Sequence, residues 1–305
     1  MSFYMIAGGL TFIALPLAFI GTMYLGFKAP RIPHNGTPAD LAMTFSSIKI
    51  PLENGLKLAA WKLTASKTPQ TPTVLILHGW GANMQMMLPL AEPFYKAGLN
   101  CLLLDARNHG QSPDDGISSL PQFTKDCTAA IDWLRKSEGD QCGPLALLGH
   151  SVGAGAVLLA ASRRDDIDAV ISISSFAHPL WLMQRHLQRP LKSLYVLRRF
   201  EGLVMFVAQK MIGHRFEDIA PMNAMCRIKC PVLLVHGTND RVVPVADLHA
   251  IENNCPDKRP EVLLINGAGH ESIEKIKQHE GDLVDFLVRQ QFSSADSIIS
   301  HGKKS

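Results

Sequence analysis

Leu145-Ala146-Leu147-Leu148-Gly149-His150-Ser151-Val152-Gly153-Ala154 is the stretch on which the reading of this chain turns. An apolar run leads into a glycine-flanked serine, and small residues dominate the following segment to Ala161. A short run that is apolar at every position reads as a strand buried on both faces, and the longer small-residue segment reads as a helix. Between them stands G-x-S-x-G, in the context of a very tight strand-to-helix turn. Gly149 and Gly153 suit such a turn because it packs its neighbours so closely that a Cβ would collide. The turn presents the Ser151 hydroxyl at a helix N-terminus, where free amides and the helix dipole favour developing negative charge. Alone the pattern is weak: with glycine this common, a chain of this length matches it by chance about one time in ten. The competing reading is a glycine-rich turn carrying a surface serine.

Outward from this point, short apolar runs recur at Thr73–Leu77, Cys101–Leu104, Ala169–Ile173, Val232–Val235 and Val262–Ile265. Segments of helical length lie between most of them, including Met84–Ala97, Gln122–Lys136, Val245–Asn253 and Ser272–Val288. This alternation predicts an α/β domain with a parallel sheet covered by helices on both faces. Upstream, Phe45–Pro51 and Leu56–Thr64 flank Asn54-Gly55, a strong hairpin signal. The interval from Ile173 to Val232 is far longer than one crossover helix requires, so an inserted helical cap is expected at about 178–222.

Three more motifs follow apolar runs. His78-Gly79-Trp80-Gly81 comes directly after Thr73–Leu77. In acyl transfer the carbonyl oxygen becomes an oxyanion and must meet preorganised donors, and the backbone amides of Trp80 and Val152 are the expected pair. An ordinary glycine-containing loop is the alternative. Asp240 lies in His236–Pro244, and His270 in Gly267-Ala268-Gly269-His270-Glu271. A loop histidine among twelve in the chain is usually only solvated surface, so His270 gains its meaning from the other motifs. The order Ser151, Asp240, His270, each after an apolar run, suits a nucleophile, the acid that orients the histidine, and the general base.

With these motifs on the page, the chain resembles the α/β-hydrolase superfamily over roughly residues 43 to 290. Asp105-Ala106-Arg107-Asn108-His109-Gly110-Gln111-Ser112 looks like that superfamily's D-x-R-x-x-G-x-S loop. Here His109 is expected to be structural rather than catalytic. Within the superfamily the chain looks most like membrane-anchored serine-aminopeptidase-like hydrolases. The resemblance implies an eight-stranded, mostly parallel sheet, a Ser151–Asp240–His270 triad and no cofactor. The expected activity is hydrolysis of a carboxylic ester or thioester of a small-molecule or lipid acyl substrate. An aminopeptidase-like amide hydrolase shares the same residues. A catalytically idle, membrane-tethered binding protein is the alternative of a different class. Dehalogenase or epoxide-hydrolase chemistry on this fold would want aspartate where Ser151 stands.

The N-terminus is of another kind. Met5 to Phe27 contains no charged residue. As a helix it is long enough to cross a hydrocarbon core of about 30 Å, and residues 1–27 are expected to form a transmembrane anchor. A cleaved signal peptide is the alternative, although a basic n-region is lacking. Lys28 and Arg31 follow the segment, so the positive-inside rule predicts a single-pass protein with a cytoplasmic catalytic domain. Prolines 30, 33 and 38 predict an extended linker over residues 28–42, and the polar tail 291–305 is expected to fray.

A net charge of +3 over 305 residues makes no case for nucleic acid. Six scattered cysteines are too few for a disulfide scaffold and fit a reducing compartment at least as well as an oxidising one. Cys226 and Cys230 lie four apart without a second ligand pair, which argues against zinc. The cap is basic: Arg185, Arg189, Lys192, Arg198, Arg199, Lys210 and Arg215 stand against Glu201 and Glu217. Such a segment either lies on an anionic membrane or packs on the domain with its charges solvated. Oligomeric state is not legible.

Overall fold

The computed structural model describes residues 17–188, 200–290 and 292. Eight strands form one sheet: β1 (Phe45–Pro51), β2 (Lys57–Leu63), β3 (Thr73–Leu77), β4 (Asn100–Leu104), β5 (Leu145–His150), β6 (Ala169–Ile173), β7 (Val232–Gly237) and β8 (Glu261–Ile265). Their spatial order is β1-β2-β4-β3-β5-β6-β7-β8. β1 pairs antiparallel with β2, and β2 antiparallel with β4; every later neighbour is parallel. The first hairpin turns at Asn54-Gly55, with Gly55 at φ +82° and the Leu52 amide donating to Leu56 O at 2.8 Å.

Strands β3 to β7 are buried at every position. Alternate side chains therefore enter two separate cores. Leu75, Leu77, Leu145 and Leu147 join the core shared with helices α3 (Leu120–Glu138) and α4 (Val152–Ala161). Val74, Ile76, Ala146 and Leu148 face α2 (Leu88–Lys96), α10 (Ile273–Lys277) and α11 (Glu280–Arg289). β8 departs from the expectation of full burial: Val262 and Leu264 are exposed because the strand forms the edge of the sheet. The strand order reverses around β3, so the loops after β3 and β5 open onto one crevice, the usual ligand position in such sheets.

Between β6 and β7 lie α5 (Pro179–Gln188), α6 (Glu201–Ile212), α7 (Phe216–Ile219) and α8 (Pro221–Met225). Arg185 on α5 reaches Asp247 on α9 (Val245–Asn253) through two hydrogen bonds of 2.8 and 3.0 Å. Gln184 donates to Glu201 on α6 at 2.7 Å. Arg185 is therefore committed to the main domain and is not available to a membrane surface. Leu203 and Phe206 on α6 are exposed, with Lys210 Nζ standing 5.6 Å over the Phe206 ring. Arg189, Lys192, Arg198 and Arg199 lie outside the described residues.

The N-terminal expectations change in two respects. Helix α1 is described over residues 17–26 only, about 15 Å at 1.5 Å per residue, and the rest of the proposed span lies outside the described residues. Among the described residues no helix is long and apolar enough to cross a membrane. Residues 28–42, expected to be an extended linker, instead dock on the domain and include a 3-10 turn at Pro38–Leu41. Proline rules out regular helix here but does not prevent packing, because side chains such as Arg31 supply the contacts. Cys226, considered beside Cys230, is instead disulfide-bonded to Cys255, with Cα atoms 5.4 Å apart.

Candidate active site

Ser151 stands between β5 and α4 at φ +56°, ψ −117°, a conformation that L-residues rarely adopt. Its neighbours explain how that strain is held. A Cβ on Gly149 would lie 2.3 Å from Gly153 O, and one on Gly153 would lie 2.4 Å from His78 O. The Ser151 amide donates to Ile173 O at 2.9 Å, which ties the turn to the end of β6. The hydroxyl is thus thrust out of the sheet by a turn that only glycine neighbours permit.

Asp240 and His270 arrive from the ends of β7 and β8. A Cβ on Gly237 would lie 2.3 Å from Ala268 O, so the two loops touch backbone to backbone. The Asn239 amide also donates to Ala268 O at 2.9 Å. Asp240 Oδ1 accepts from the amides of Val242 and Val243 at 2.9 and 2.8 Å, and Oδ2 faces His270 Nδ1 at 2.7 Å. Burial alone would raise the Asp240 pKa, but the hydrogen bonds from His270, Val243 and Val242 outweigh it and hold the carboxyl below its ordinary value. On its other side, His270 Nε2 lies 2.9 Å from Ser151 Oγ. With Nδ1–H donating to Asp240, Nε2 is left as the acceptor for the serine hydroxyl. Three residues read from separate motifs therefore form one hydrogen-bonded chain.

The His78–Gly81 loop lies against the serine: a Cβ on Gly79 would stand 3.0 Å from Ser151 Cβ. His78 donates from Nδ1 to Gly79 O at 2.7 Å and accepts the Ala106 amide on Nε2 at 3.0 Å. Burial, assisted by the nearby His109, lowers the His78 pKa to about 4, in keeping with a neutral ring that accepts an N–H. Trp80 is partly exposed, its ring edge-on to His109 at 6.2 Å. Val152 is buried in the first turn of α4, where helical amides have no partner within the helix. His109 is buried and donates from Nδ1 to Arg107 O at 2.9 Å.

One residue escaped the sequence reading. His150 is buried directly before Ser151, and its Nε2 lies 2.9 Å from His270 O. A carbonyl only accepts, so Nε2–H is the donor. Burial and the neighbouring His270 push the His150 pKa down, which keeps the ring neutral. No local pattern could have found this contact, because it spans 120 residues. A cleft of about 220 Å³, lined by Arg107, Lys125, Met211 and His214 among others, lies elsewhere, and none of Ser151, Asp240 and His270 lines it.

Residues 68–213 match the family model "Serine aminopeptidase, S33". A membrane protein of Saccharomyces cerevisiae, YNL320W, is 23% identical over 263 residues, covering 85% of each chain. Among solved structures, the esterase Pf2001 of Pyrococcus furiosus aligns with a TM-score of 0.70 at 24% identity, over 86% of this chain and 97% of its own. The α/β hydrolase GrgF from Penicillium aligns with a TM-score of 0.61 at 18% identity, over 81% of this chain and 99% of its own. At these identities the structural likeness establishes the fold and not the substrate. The sheet order and these structures give the chain the α/β-hydrolase fold, and the matched family model covers residues 68–213 of it.

Proposed function

We propose that this chain is a serine hydrolase that cleaves a carboxylic ester or thioester of a small-molecule or lipid acyl substrate through an acyl-enzyme on Ser151. The observation that carries the reading is the unbroken hydrogen-bonded chain from Ser151 Oγ through His270 to Asp240. In the proposed reaction Ser151 Oγ attacks the carbonyl carbon while His270 Nε2 takes its proton. The amides of Trp80 and Val152 receive the oxyanion, and Asp240 stabilises the imidazolium. Collapse expels the alcohol or thiol, which leaves with the proton from His270. Water activated by the same imidazole then releases the acid and restores the serine.

The expected result is that Ser151→Ala, with an unchanged fold by circular dichroism, loses fluorophosphonate labelling and p-nitrophenyl ester turnover by at least about 10³-fold. Labelling that survives the substitution removes Ser151 from the role. The family description favours a second reading, an aminopeptidase-like amide hydrolase. Aminoacyl amides assayed beside esters and thioesters decide between the two. A wild-type chain inert to all of them would be the catalytically idle binding protein.

A membrane anchor within residues 1–27 belongs to the same proposal. Its support is the uncharged run Met5–Phe27 and the yeast relative described as a membrane protein. Two features argue opposite sides for the domain: Lys28 and Arg31 favour the cytoplasm, while a Cys226–Cys255 disulfide favours an oxidising compartment. Recovery of the protein in the membrane fraction after alkaline extraction would support anchoring, and its release would refute it.

A further inference from the structure

The segment after α1 has more to do than connect. Phe27 O accepts from the Ser118 amide at 2.9 Å. Pro30 covers Gly81, so that a Cβ there would lie 3.1 Å from Pro30 Cγ. Arg31 Nη1 lies 2.6, 2.7 and 3.2 Å from the carbonyls of Gly110, Ser112 and His109, and Nη2 lies 2.5 Å from Asp114. Asn83 Nδ2 donates to Ile32 O at 3.0 Å, and the Asn35 amide donates to Gln85 Oε1 at 2.6 Å.

His34 extends the grip into the interior. Its Nε2 stands 3.0 Å from Asp105 Oδ2, and both side chains are almost wholly buried. The same carboxylate accepts the Met84 amide on Oδ1 and the Gln111 amide on Oδ2, each at 2.7 Å. Gly81, Asn83, Met84 and Gln85 are thus held either by residues 27–36 directly or through Asp105. Gly81 directly follows Trp80 within the His78–Gly81 loop, and Asn83, Met84 and Gln85 come just after that loop.

That loop needs holding. It contains two glycines, one of them Gly81 at φ +69°, and glycine leaves backbone conformation underdetermined. An oxyanion donor must stand within a few tenths of an ångström of its place, and a displacement of 1 Å costs on the order of 10²-fold in rate. We propose that residues 27–36 are a strap that positions the oxyanion loop, with Arg31 and His34 as positioning residues, so that the catalytic unit begins at Phe27 and not at β1. This rests on the reading that the Trp80 amide serves the oxyanion.

The test uses the full chain with Arg31→Ala, Arg31→Lys and His34→Gln, each compared with wild type. The readouts are kcat and KM on a p-nitrophenyl ester, thermal melting, and amide hydrogen exchange across residues 79–85. Arg31→Ala is expected to lower kcat by about 10- to 100-fold with KM within about twofold, and to speed exchange in the loop. Arg31→Lys should rescue little, because a lysine ammonium cannot serve carbonyls and a carboxylate from one planar fork. Should Arg31→Ala fail to fold, the milder Arg31→Lys and His34→Gln carry the same expectation. Wild-type kcat in folded variants, or unaltered loop exchange, overturns the strap. A wild-type chain inert to esters and fluorophosphonate overturns the hydrolase reading instead.

Discussion

His150 sits at a junction: covalently it precedes Ser151, and through Nε2 it holds the carbonyl of His270. The backbone under the histidine is therefore fixed from beneath while Asp240 fixes the ring from the side. His150→Leu would leave a buried carbonyl without its donor, a loss of about 1–3 kcal/mol. It is expected to lower kcat at least tenfold in steady-state assays. His150→Gln, which keeps an N–H donor, should recover part of the loss. A leucine variant with wild-type kcat and pH profile would reduce His150 to packing.

At the scale of elements, the cap is joined to the sheet by specific polar contacts as well as apolar ones. Asp247 is buried on α9 and is met by the Ala177 amide at 2.9 Å and by the Arg185 fork. Removing the fork leaves a buried carboxylate with one remaining donor. Arg185→Ala is expected to cost about 1–3 kcal/mol in urea unfolding and to raise hydrogen exchange in α5. Unchanged exchange there would mean that apolar packing alone seats the helix. The remaining elements follow their neighbours in the same way. β8 reads like the interior strands but lies at the sheet edge, so half of its apolar side chains face solvent. Residues 28–42 read as a linker but became a docked strap, since the partners of Arg31 and His34 lie some seventy to eighty positions later.

Among the described residues burial lowers the pKa values of five histidines, His78, His109, His150, His214 and His236. In the unfolded chain each titrates near 6.5, so acid protonates the unfolded state first. Stability is therefore full above about pH 6.5 and falls as the pH drops toward the folded values, about 4 for His78. His78 alone contributes ~3 kcal/mol to this loss by pH 4, at about 1.4 kcal/mol per pH unit. Urea midpoints measured from pH 7.5 to 4.5 should decline steadily, and less steeply in His78→Gln. A flat profile would mean that these rings titrate in the fold as they do in the unfolded chain.

The sequence by itself determined the layered α/β architecture, because strands buried on both faces must be apolar at nearly every position. It also marked Ser151, Asp240 and His270 as candidates, because tight turns at strand ends leave glycine-rich local patterns. Only the tertiary structure decided that these three meet, with Ser151 and His270 119 residues apart in sequence. It alone seated His150 under His270, paired Cys226 with Cys255, and laid Arg31 and His34 against the loop that follows β4. The physical reason is one of range. Local patterns record what a residue needs from its immediate neighbours, whereas hydrogen bonds across the sheet's carboxyl end depend on which strands become adjacent.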